Sequence, residues 1–410
     1  MASVVDQWWT KRDGRRVKTK RYGCPKRWLV RWRDPSGRQR SKAFERKVDA
    51  EAWRDQVATE IRRGEYVDPR GGRMLFRELA DQWLRSRIAS RTTLEGERRK
   101  VRMLVDHFGD YPIGEIRPSM VRAWAASRRV APTTLRYELW VLGAILQTAV
   151  DDDLIRRSPV DKVRLPQAPR RQIEPWPLET IRAILDAHPS HVAPVAWLGA
   201  GAGLRQGEAF AVSVDDIDWL RREIRVERQL LRLDDGLAFG PPKRGSVGVV
   251  PLPAELVDLL AAHVAEHEPV EVTLPWLAPD ARPGETRTVR LLCTGRRGAP
   301  LRRDEYNRRV WVPALRAAGV EPAGKATGHH MLRHCYASYL LAEGKPITVV
   351  QARLRHRTLE ETVRTYAHLV PDAESERMKD AIASLFRPCC TDAAQMLHNR
   401  HGRTRLDTDL

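Results

Sequence analysis

The sequence predicts a multidomain α+β protein, and three observations lead to this class. Its 410 residues suffice for two or three domains at roughly 150 residues each. Near the N-terminus apolar and basic residues alternate with the period of a strand, whereas apolar residues between 76 and 149 recur with helical spacing. Hydrophobic residues make up 42% of the chain and charged residues 30%, so several cores can form.

The first predicted domain spans residues 1–70 and combines a small sheet with a helix. Residues 34–37, Asp-Pro-Ser-Gly, predict a turn, and 38–44 predict the returning strand. A helix is predicted from Lys47 to its stop at Gly64. The strand before the turn has one apolar and one mainly basic face, in the order Trp28, Leu29, Val30, Arg31, Trp32 and Arg33.

The second predicted domain, residues 74–165, is a bundle of about four helices. Its second helix stops at Gly109, its third opens at Pro118, and Thr133 or Thr134 is expected to cap its fourth.

The third predicted domain, residues 172–387, is mainly helical with a small antiparallel sheet. We expect helices at 177–187 and 190–202, followed by further helices after the sheet. Residues 388–410 form a polar tail without clear periodicity. Strands are expected at 222–230, 236–242 and 247–251.

The charge of the chain points to a polyanionic partner. Lys and Arg number 72 against 53 Asp and Glu, which gives a net charge of +19, and residues 1–70 alone hold 20 basic and 10 acidic residues. The sequence lacks an apolar run of the ~18–20 residues that span a bilayer, and its first residues lack a signal-peptide core. DNA is therefore favoured over a membrane, although a solvated basic face is the plain alternative. The candidate DNA contacts are Arg27, Arg31, Arg33, Arg38, Arg40 and Lys42.

Cysteine usage argues against a disulfide framework or a structural zinc site. The five cysteines are odd in number and show no Cys-x-x-Cys spacing, which fits a reducing cytoplasm.

Four short segments of the third domain carry residues suited to chemistry on a phosphate. Two arginines can grip the oxygens of one phosphate, and a tyrosine hydroxyl is a candidate nucleophile once a histidine accepts its proton. A lysine on a hairpin could protonate the leaving oxygen, so the set needs no metal. The segments are Gly203–Glu208, Pro241–Gly245, His330–His334 and Leu354–His356, with Tyr366 ten residues beyond the last.

Each residue also has a plainer interpretation. Arg205 could be a surface arginine that pairs with Glu208, and Tyr366 could be a core residue. Lys243 could be a turn residue, yet between Lys162 and Lys345 the only other lysine is Lys325, which lies outside the hairpin.

His330 and His334 have the i, i+4 spacing of a zinc motif on a helix. That motif needs Glu directly after the first histidine, where this chain has Met331, and the sequence offers no third ligand. A structural role for His334 is favoured.

Taken in order, these segments resemble the tyrosine recombinases, specifically the phage-type integrases. The similarity covers nearly the whole chain, and it implies that 1–70 is an arm-type DNA-binding domain, 74–165 a core-binding domain and 172–387 the catalytic domain. The matching stretches are GLRQGE (203–208), PPKRGSVGVVPLP (241–253), HHMLRHCYASYLLAEG (329–344), VVQARLRH (349–356) and TVRTYAHL (362–369).

The resemblance also implies a role for each matched residue. Tyr366 would attack the scissile phosphodiester and form a 3′-phosphotyrosyl bond, and Lys243 would protonate the 5′ oxygen. His330 would assist removal of the tyrosine proton. The other implied roles are phosphate binding by Arg205, Arg333 and His356, and support of the site by Glu208 and His334.

Two positions depart from the family pattern. Arg355 stands where the family usually has Gly, so its side chain could crowd the turn or add a phosphate contact. Met331 stands where Asp is common.

The implied partners are double-stranded DNA attachment sites, at the core and at arm sites, and three further copies of the chain in a synaptic tetramer. An excisionase or a DNA-bending host protein is a further candidate partner, no cofactor is expected, and the expected location is the bacterial cytoplasm at the nucleoid. The rival interpretations are a type IB topoisomerase, a chromosome-dimer resolvase and a DNA-binding regulator without catalysis.

Overall fold

The structure, a computed structural model, describes residues 2–12, 14–35, 37–63, 66, 71–164 and 173–369. It divides the chain into two compact units, Met1–Arg170 and Arg171–Leu410. The predicted tail at 388–410 lies outside the described residues, and the three-domain division remains a prediction.

The first unit begins with a small sheet covered by one helix. Strands β1 (Ser3–Asp6), β4 (Trp28–Arg33) and β5 (Gln39–Phe44) form an antiparallel sheet in the order β1-β4-β5, and β2 (Trp9–Arg12) pairs with β3 (Arg15–Lys18). Helix α1 spans Lys47–Arg63. The core between sheet and helix contains Val30, Trp32, Ala50, Val57 and Tyr66.

The predicted strand pair, turn and helix are therefore confirmed. The helix stop predicted at Gly64 lies outside the described residues. Val30 and Trp32 are buried while Arg31 and Arg33 are exposed, as the alternation predicts. The sequence analysis missed β1, β2 and β3, because each has four residues and β2 and β3 are mostly polar.

Four helices complete the first unit, as predicted. The expected caps Thr133 and Thr134 are wrong, because the last helix begins at Pro132, with Ala131 before it and no side-chain cap. Proline has no N–H to satisfy and suits the first helical position, so the helix can begin there without a cap. The helices, which share one apolar core, are α2 (Phe76–Ser86), α3 (Arg91–Phe108), α4 (Pro118–Ser127) and α5 (Pro132–Asp151).

In its described part, residues 173–369, the second unit mixes helices with three small sheets. Its helices are α6 (Leu178–Asp186), α7 (Ala193–Gly201), α8 (Gln206–Ala209), α9 (Ala254–Glu266), α10 (Arg303–Tyr306), α11 (Val312–Ala317), α12 (His330–Ala342), α13 (Ile347–Leu354) and α14 (Leu359–Tyr366). Its strands are β6 (Ile217–Asp218), β7 (Glu223–Val226), β8 (Gln229–Leu233), β9 (Gly236–Gly240), β10 (Gly248–Pro251), β11 (Val270–Pro275) and β12 (Thr286–Leu291).

One prediction about these strands is wrong, and one strand pair was missed. The single strand expected at 222–230 is two strands, β7 and β8, which belong to different sheets. The break falls at Arg228, whose Nη2 donates to Asp216 Oδ1 at 2.9 Å. The pair β11–β12 was not anticipated.

The expected hairpin around Lys243 is also corrected. β9 pairs with β8, and β10 pairs with β7, so the segment between β9 and β10 connects two sheets. Pro241 and Pro242 explain the break, because proline cannot donate a hydrogen bond to a ladder.

Two apolar cores order the second unit. The larger one surrounds α7 and the strands, and the smaller one lies among α12, α13 and α14. Tyr366 belongs to the smaller core. Among the described residues, every helix is too short or too polar to cross a membrane.

Candidate active site

A tight turn presents Arg205 at the start of α8. Gly203 has a φ of +62°, and a Cβ at this position would lie 2.7 Å from Cδ1 of Tyr336. Both the left-handed backbone and the close ring therefore require glycine. The turn places Arg205 at the first position before α8, with Glu208 one helical turn further on.

Glu208 is a buried carboxylate that two arginines share. It accepts hydrogen bonds from the main-chain N–H of Arg205 at 2.9 Å and from Arg205 Nη1 at 2.7 Å. Arg355 Nη2 donates at 2.5 Å to Oε2, the oxygen that also accepts the main-chain N–H of Arg205. A buried carboxylate is stable as an anion only with such partners, so Glu208 fixes both guanidinium groups.

Arg333 is the third guanidinium group of the cluster and is only 1% exposed. It donates to the main-chain carbonyls of Gly203 and Leu354, the first residues of the segments that contain Arg205 and His356. Burial, and next the charge of Arg205, lower the pKa of Arg333. Arg205, Arg333 and Arg355 interact electrostatically with the single negative charge of Glu208, so the cluster keeps excess positive charge that an anion such as a phosphate would neutralise.

Lys243 lies in an exposed turn of the connection between β9 and β10. Three residues later, Ser246 Oγ accepts a hydrogen bond from Arg205 Nη1 at 3.0 Å, which ties the connection to the arginine cluster. On its other side Arg244 Nη1 lies 3.2 Å from Glu361 Oε2 of α14. Lys325 is exposed in a separate turn, Gly324–Thr327.

The Tyr366 hydroxyl meets His334, and the part expected of His330 in removing the tyrosine proton stays a prediction. Oη of Tyr366 lies 2.7 Å from His334 Nδ1, and the tyrosine is 1% exposed. Burial raises the pKa of Tyr366, while Arg333 opposes the rise, and burial together with Arg333 lowers the pKa of His334 to about 4. Both groups are thus neutral at pH 7, and the hydroxyl can donate to Nδ1.

His330 stands at the exposed start of α12, with its ring 4.6 Å from that of His334. Desolvation of the ring, and then the neighbouring His334 and Arg333, lower the pKa of His330. The zinc interpretation gains no support: within the described ranges, no three His, Cys, Asp or Glu side chains are grouped to hold a metal.

His356 follows α13 and is held by a residue that the sequence analysis did not single out. Its Nδ1 lies 2.9 Å from Oγ1 of Thr362, a fully buried residue of α14. Burial, and then Arg333, lower the pKa of His356 to about 4. The contact joins the segment after α13 to α14, so periodicity within a helix could not reveal it.

Comparisons with known proteins identify the family of the chain. The family model described as "Phage integrase family" matches residues 178–372. The prophage phiRv2 integrase of Mycobacterium tuberculosis is 30% identical over 253 residues, which cover 59% of this chain and 67% of that protein. The chain belongs to the phage integrase family. It is a tyrosine recombinase, an enzyme of site-specific DNA recombination.

More distant members of the family cover more of the chain. The integrase of Mycobacterium phage L5 is 23% identical over 354 residues, which cover 83% of this chain and 90% of that protein. The Tn1549 transposon integrase, solved with a circular intermediate DNA, has a TM-score of 0.62 at 23% identity and covers 74% of this chain and 99% of its own. A lambda integrase dimer bound to a core site has a TM-score of 0.57 at 16% identity. The match covers 84% of this chain and 93% of the lambda integrase chain. These structures confirm the multidomain α+β fold.

In this integrase the predicted DNA contacts of the first unit fall on different faces. Arg31 and Arg33 are exposed on the outer face of β4, and Arg38 is exposed beside the turn. Their charges therefore face solvent, where a phosphate backbone could reach them.

Arg40 and Lys42 lie on the opposite face, because they pair in register with the two buried residues of β4. Arg40 Nε donates to Asp34 at 2.9 Å, and Lys42 Nζ lies 3.5 Å from the ring centre of Trp53 on α1. Arg40 is half-buried in its ion pair with Asp34, and Lys42 is exposed over the ring of Trp53.

Arg27 belongs to a cluster of cations and aromatic rings that the sequence analysis missed. Its Nη2 donates to Asp6 at 2.9 Å, and its guanidinium lies 4.9 Å from the ring centre of Trp8 and 4.8 Å from that of Trp28. Adjacent to it lie Trp9, Arg16, Lys18 and Tyr22.

The buried histidines predict an acid-sensitive second unit. His329 is 3% exposed, and burial lowers its pKa to about 4. Because the unfolded chain binds this proton from pH ~6.5 downward, stability falls as the pH drops from about 6.5 to about 4. In urea unfolding between pH 7 and pH 4.5, the free energy of unfolding of His329→Gln should fall by about 2–3 kcal/mol less than that of the wild type.

Leu198→Ala is the matched control, since it removes apolar volume from a neighbouring buried site without a titrating group. It should lower the free energy of unfolding by the same amount at both pH values. Equal acid sensitivity of His329→Gln and wild type would contradict this role of His329.

Proposed function

We propose that this integrase cuts and rejoins DNA through a 3′-phosphotyrosyl intermediate on Tyr366, without metal or ATP. The observation that carries the proposal is a cluster of three arginines within electrostatic reach of a tyrosine hydroxyl: Arg205 and Arg355 bind the buried carboxylate of Glu208, and Arg333 interacts with all three groups through its charge. Arg333 and Arg205 both favour the charged form of Tyr366 and so lower its pKa against the effect of burial.

Phosphate binding is the first step. The side chain of Arg205 is 22% exposed, which leaves part of its guanidinium able to meet a phosphate oxygen. His356 is neutral, so its ring can donate a hydrogen bond to a second oxygen. The excess positive charge of the cluster stabilises the charge that develops on the phosphate during transfer.

Strand cleavage follows with two proton transfers. The Tyr366 oxygen attacks phosphorus while its proton passes to His334, and His330, in ring contact with His334, continues the path to solvent. The bond from phosphorus to the 5′ oxygen breaks, and Lys243 gives that oxygen its proton. The products are a phosphotyrosyl 3′ end and a free 5′ hydroxyl.

Access of the phosphate requires a movement of α14. Tyr366 and Arg333 are each 1% exposed, so neither can touch DNA in the described conformation. The exposed pair of Arg244 and Glu361, which contributes little to stability in water, ties α14 to the Lys243 connection. Helix α14 can therefore separate from the connection at low cost when DNA binds.

Rejoining reverses the same chemistry. The covalent link conserves the energy of the broken bond, so a 5′ hydroxyl of a second duplex can attack it without ATP. Two rounds of exchange need four active sites, which supports a homotetramer; a lambda integrase tetramer has been solved on a Holliday junction. The DNA partners are attachment sites of a phage or mobile element, and the exposed arginines of the first unit would hold arm sites with an excisionase or bending protein as helper.

A nicked attachment-site DNA tests the proposal. Cleavage beside a nick releases a short strand that diffuses away, so the covalent complex accumulates. We expect a protein–DNA band that resists denaturant and forms with EDTA present and ATP omitted. The band should contain the labelled strand whose 3′ phosphate lies at the cut. A band that requires a divalent metal, or one that keeps only the label of the 5′ side, would overturn the mechanism.

A further inference from the structure

Arg355 occupies a strained and buried position. It caps α13 with φ 55° and ψ 40°, the left-handed conformation that favours glycine, and it is 7% exposed. Glycine would avoid both the backbone strain and the burial of a charge. The contacts of the arginine side chain must therefore compensate for both.

Those contacts reach two other segments of the site. Nη2 donates to Glu208 Oε2 at 2.5 Å, and Nε donates to the carbonyl of Ser246 at 3.2 Å. The aliphatic stem covers Gly248, where a Cβ would lie 3.1 Å from Cδ of Arg355. Nη1 is buried without a hydrogen-bond partner, so this guanidinium does not face solvent as a surface DNA contact would.

The contacts close a ring of four residues. Arg205 binds Glu208 and the hydroxyl of Ser246, while Arg355 binds Glu208 and the carbonyl of Ser246. Glu208 follows Arg205 on α8, Ser246 follows Lys243 by three residues, and Arg355 precedes His356. Without Arg355, the hydroxyl of Ser246 would be the one remaining bond of this ring to the Lys243 connection.

We propose that Arg355 is a positioning residue, which holds the connection bearing Lys243 against the phosphate site so that the lysine can protonate the leaving oxygen. The inference rests on the proposed function, because it gives Lys243 the part of general acid. This role explains why an arginine is tolerated at a left-handed position. Its side chain holds in place the connection between β9 and β10, which among the described residues has few other contacts with the phosphate site.

The test uses Arg355→Gly in the full chain with two nicked DNA substrates. One has the normal 5′ oxygen at the cut, and the other has sulfur there, which leaves as a thiolate and needs no general acid. We expect cleavage of the oxygen substrate to slow about 10- to 100-fold, a part of what a general acid contributes. With the sulfur substrate, Arg355→Gly should regain most of the lost cleavage rate. Arg355→Lys should cleave the oxygen substrate at a rate between those of Arg355→Gly and the wild type.

Arg297→Gly is the matched control, because Arg297 is exposed and has the same left-handed backbone, with φ 64°. It should cleave both substrates as the wild type does. The inference would be overturned if Arg355→Gly cleaved the sulfur substrate as slowly as the oxygen substrate. It would also be overturned if Arg355→Gly cleaved the oxygen substrate at the wild-type rate.

Amide hydrogen exchange provides a readout that does not depend on activity. In Arg355→Gly, residues 243–248 should exchange faster than in the wild type, while the rest of the second unit stays unchanged. Unchanged exchange in 243–248 would overturn the positioning role even if cleavage slowed. If the wild type itself formed no covalent complex, the proposed function would fail, and the exchange data would still decide whether Arg355 holds the connection.

Discussion

Tyr366→Phe should abolish the covalent protein–DNA complex and leave DNA affinity unchanged. The substitution removes only the hydroxyl oxygen, and the ring keeps its place in the core of α12, α13 and α14. Since no other group of the site would supply the nucleophile, cleavage should fall by at least about 10⁴-fold, the scale seen when a nucleophile is removed. Denaturing gels on nicked DNA measure the complex, and mobility shifts measure the affinity.

Tyr339→Phe is the control for this experiment. It also removes one hydrogen-bonded hydroxyl from α12–α14, since Tyr339 Oη donates to the carbonyl of Trp176 at 2.8 Å. Both variants should lose about 1 kcal/mol of stability, but only Tyr366→Phe should lose the covalent complex. A covalent complex that persists in Tyr366→Phe would show that another residue attacks the phosphate.

Glu208→Gln should be the most destabilising substitution in the site, at about 3–5 kcal/mol. The isosteric amide removes the negative charge between Arg205 and Arg355, and the guanidinium groups then repel one another in a buried space. Urea unfolding measures the loss, and cleavage of nicked DNA should fall with it because Arg205 is no longer held.

A double variant separates charge imbalance from lost shape. Arg355→Met in the Glu208→Gln background removes one of the uncompensated charges. The double variant should therefore have a higher free energy of unfolding than Glu208→Gln alone. If the two losses simply add, the carboxylate and Arg355 are not coupled, and the ring of hydrogen bonds does not exist in solution.

Local sequence patterns predicted the helices and the strand pair of the first unit well. Apolar residues at helical spacing predict α2 to α5 as helices, with one face of each in a shared core. The short turn at 34–37 fixes the register in which β4 and β5 pair. The short strands β1, β2 and β3 escaped detection, because four residues carry too little pattern.

The site was predictable as a set of residues but not as a geometry. Arg205, Glu208 and His334 were identified from motifs, yet the pairing of the Tyr366 hydroxyl with His334 depends on how α14 packs on α12. The link from Arg355 to Ser246 spans 109 positions, and no local period encodes it.

The identity of the attacking residue is the central claim, and mass spectrometry of the trapped complex tests it directly. Trypsin and nuclease digestion should leave a nucleotide on the peptide of residues 365–377, attached through the oxygen of Tyr366 and carrying the 3′ phosphate. A nucleotide attached to any other peptide, or to a serine or histidine of the site, would contradict the account.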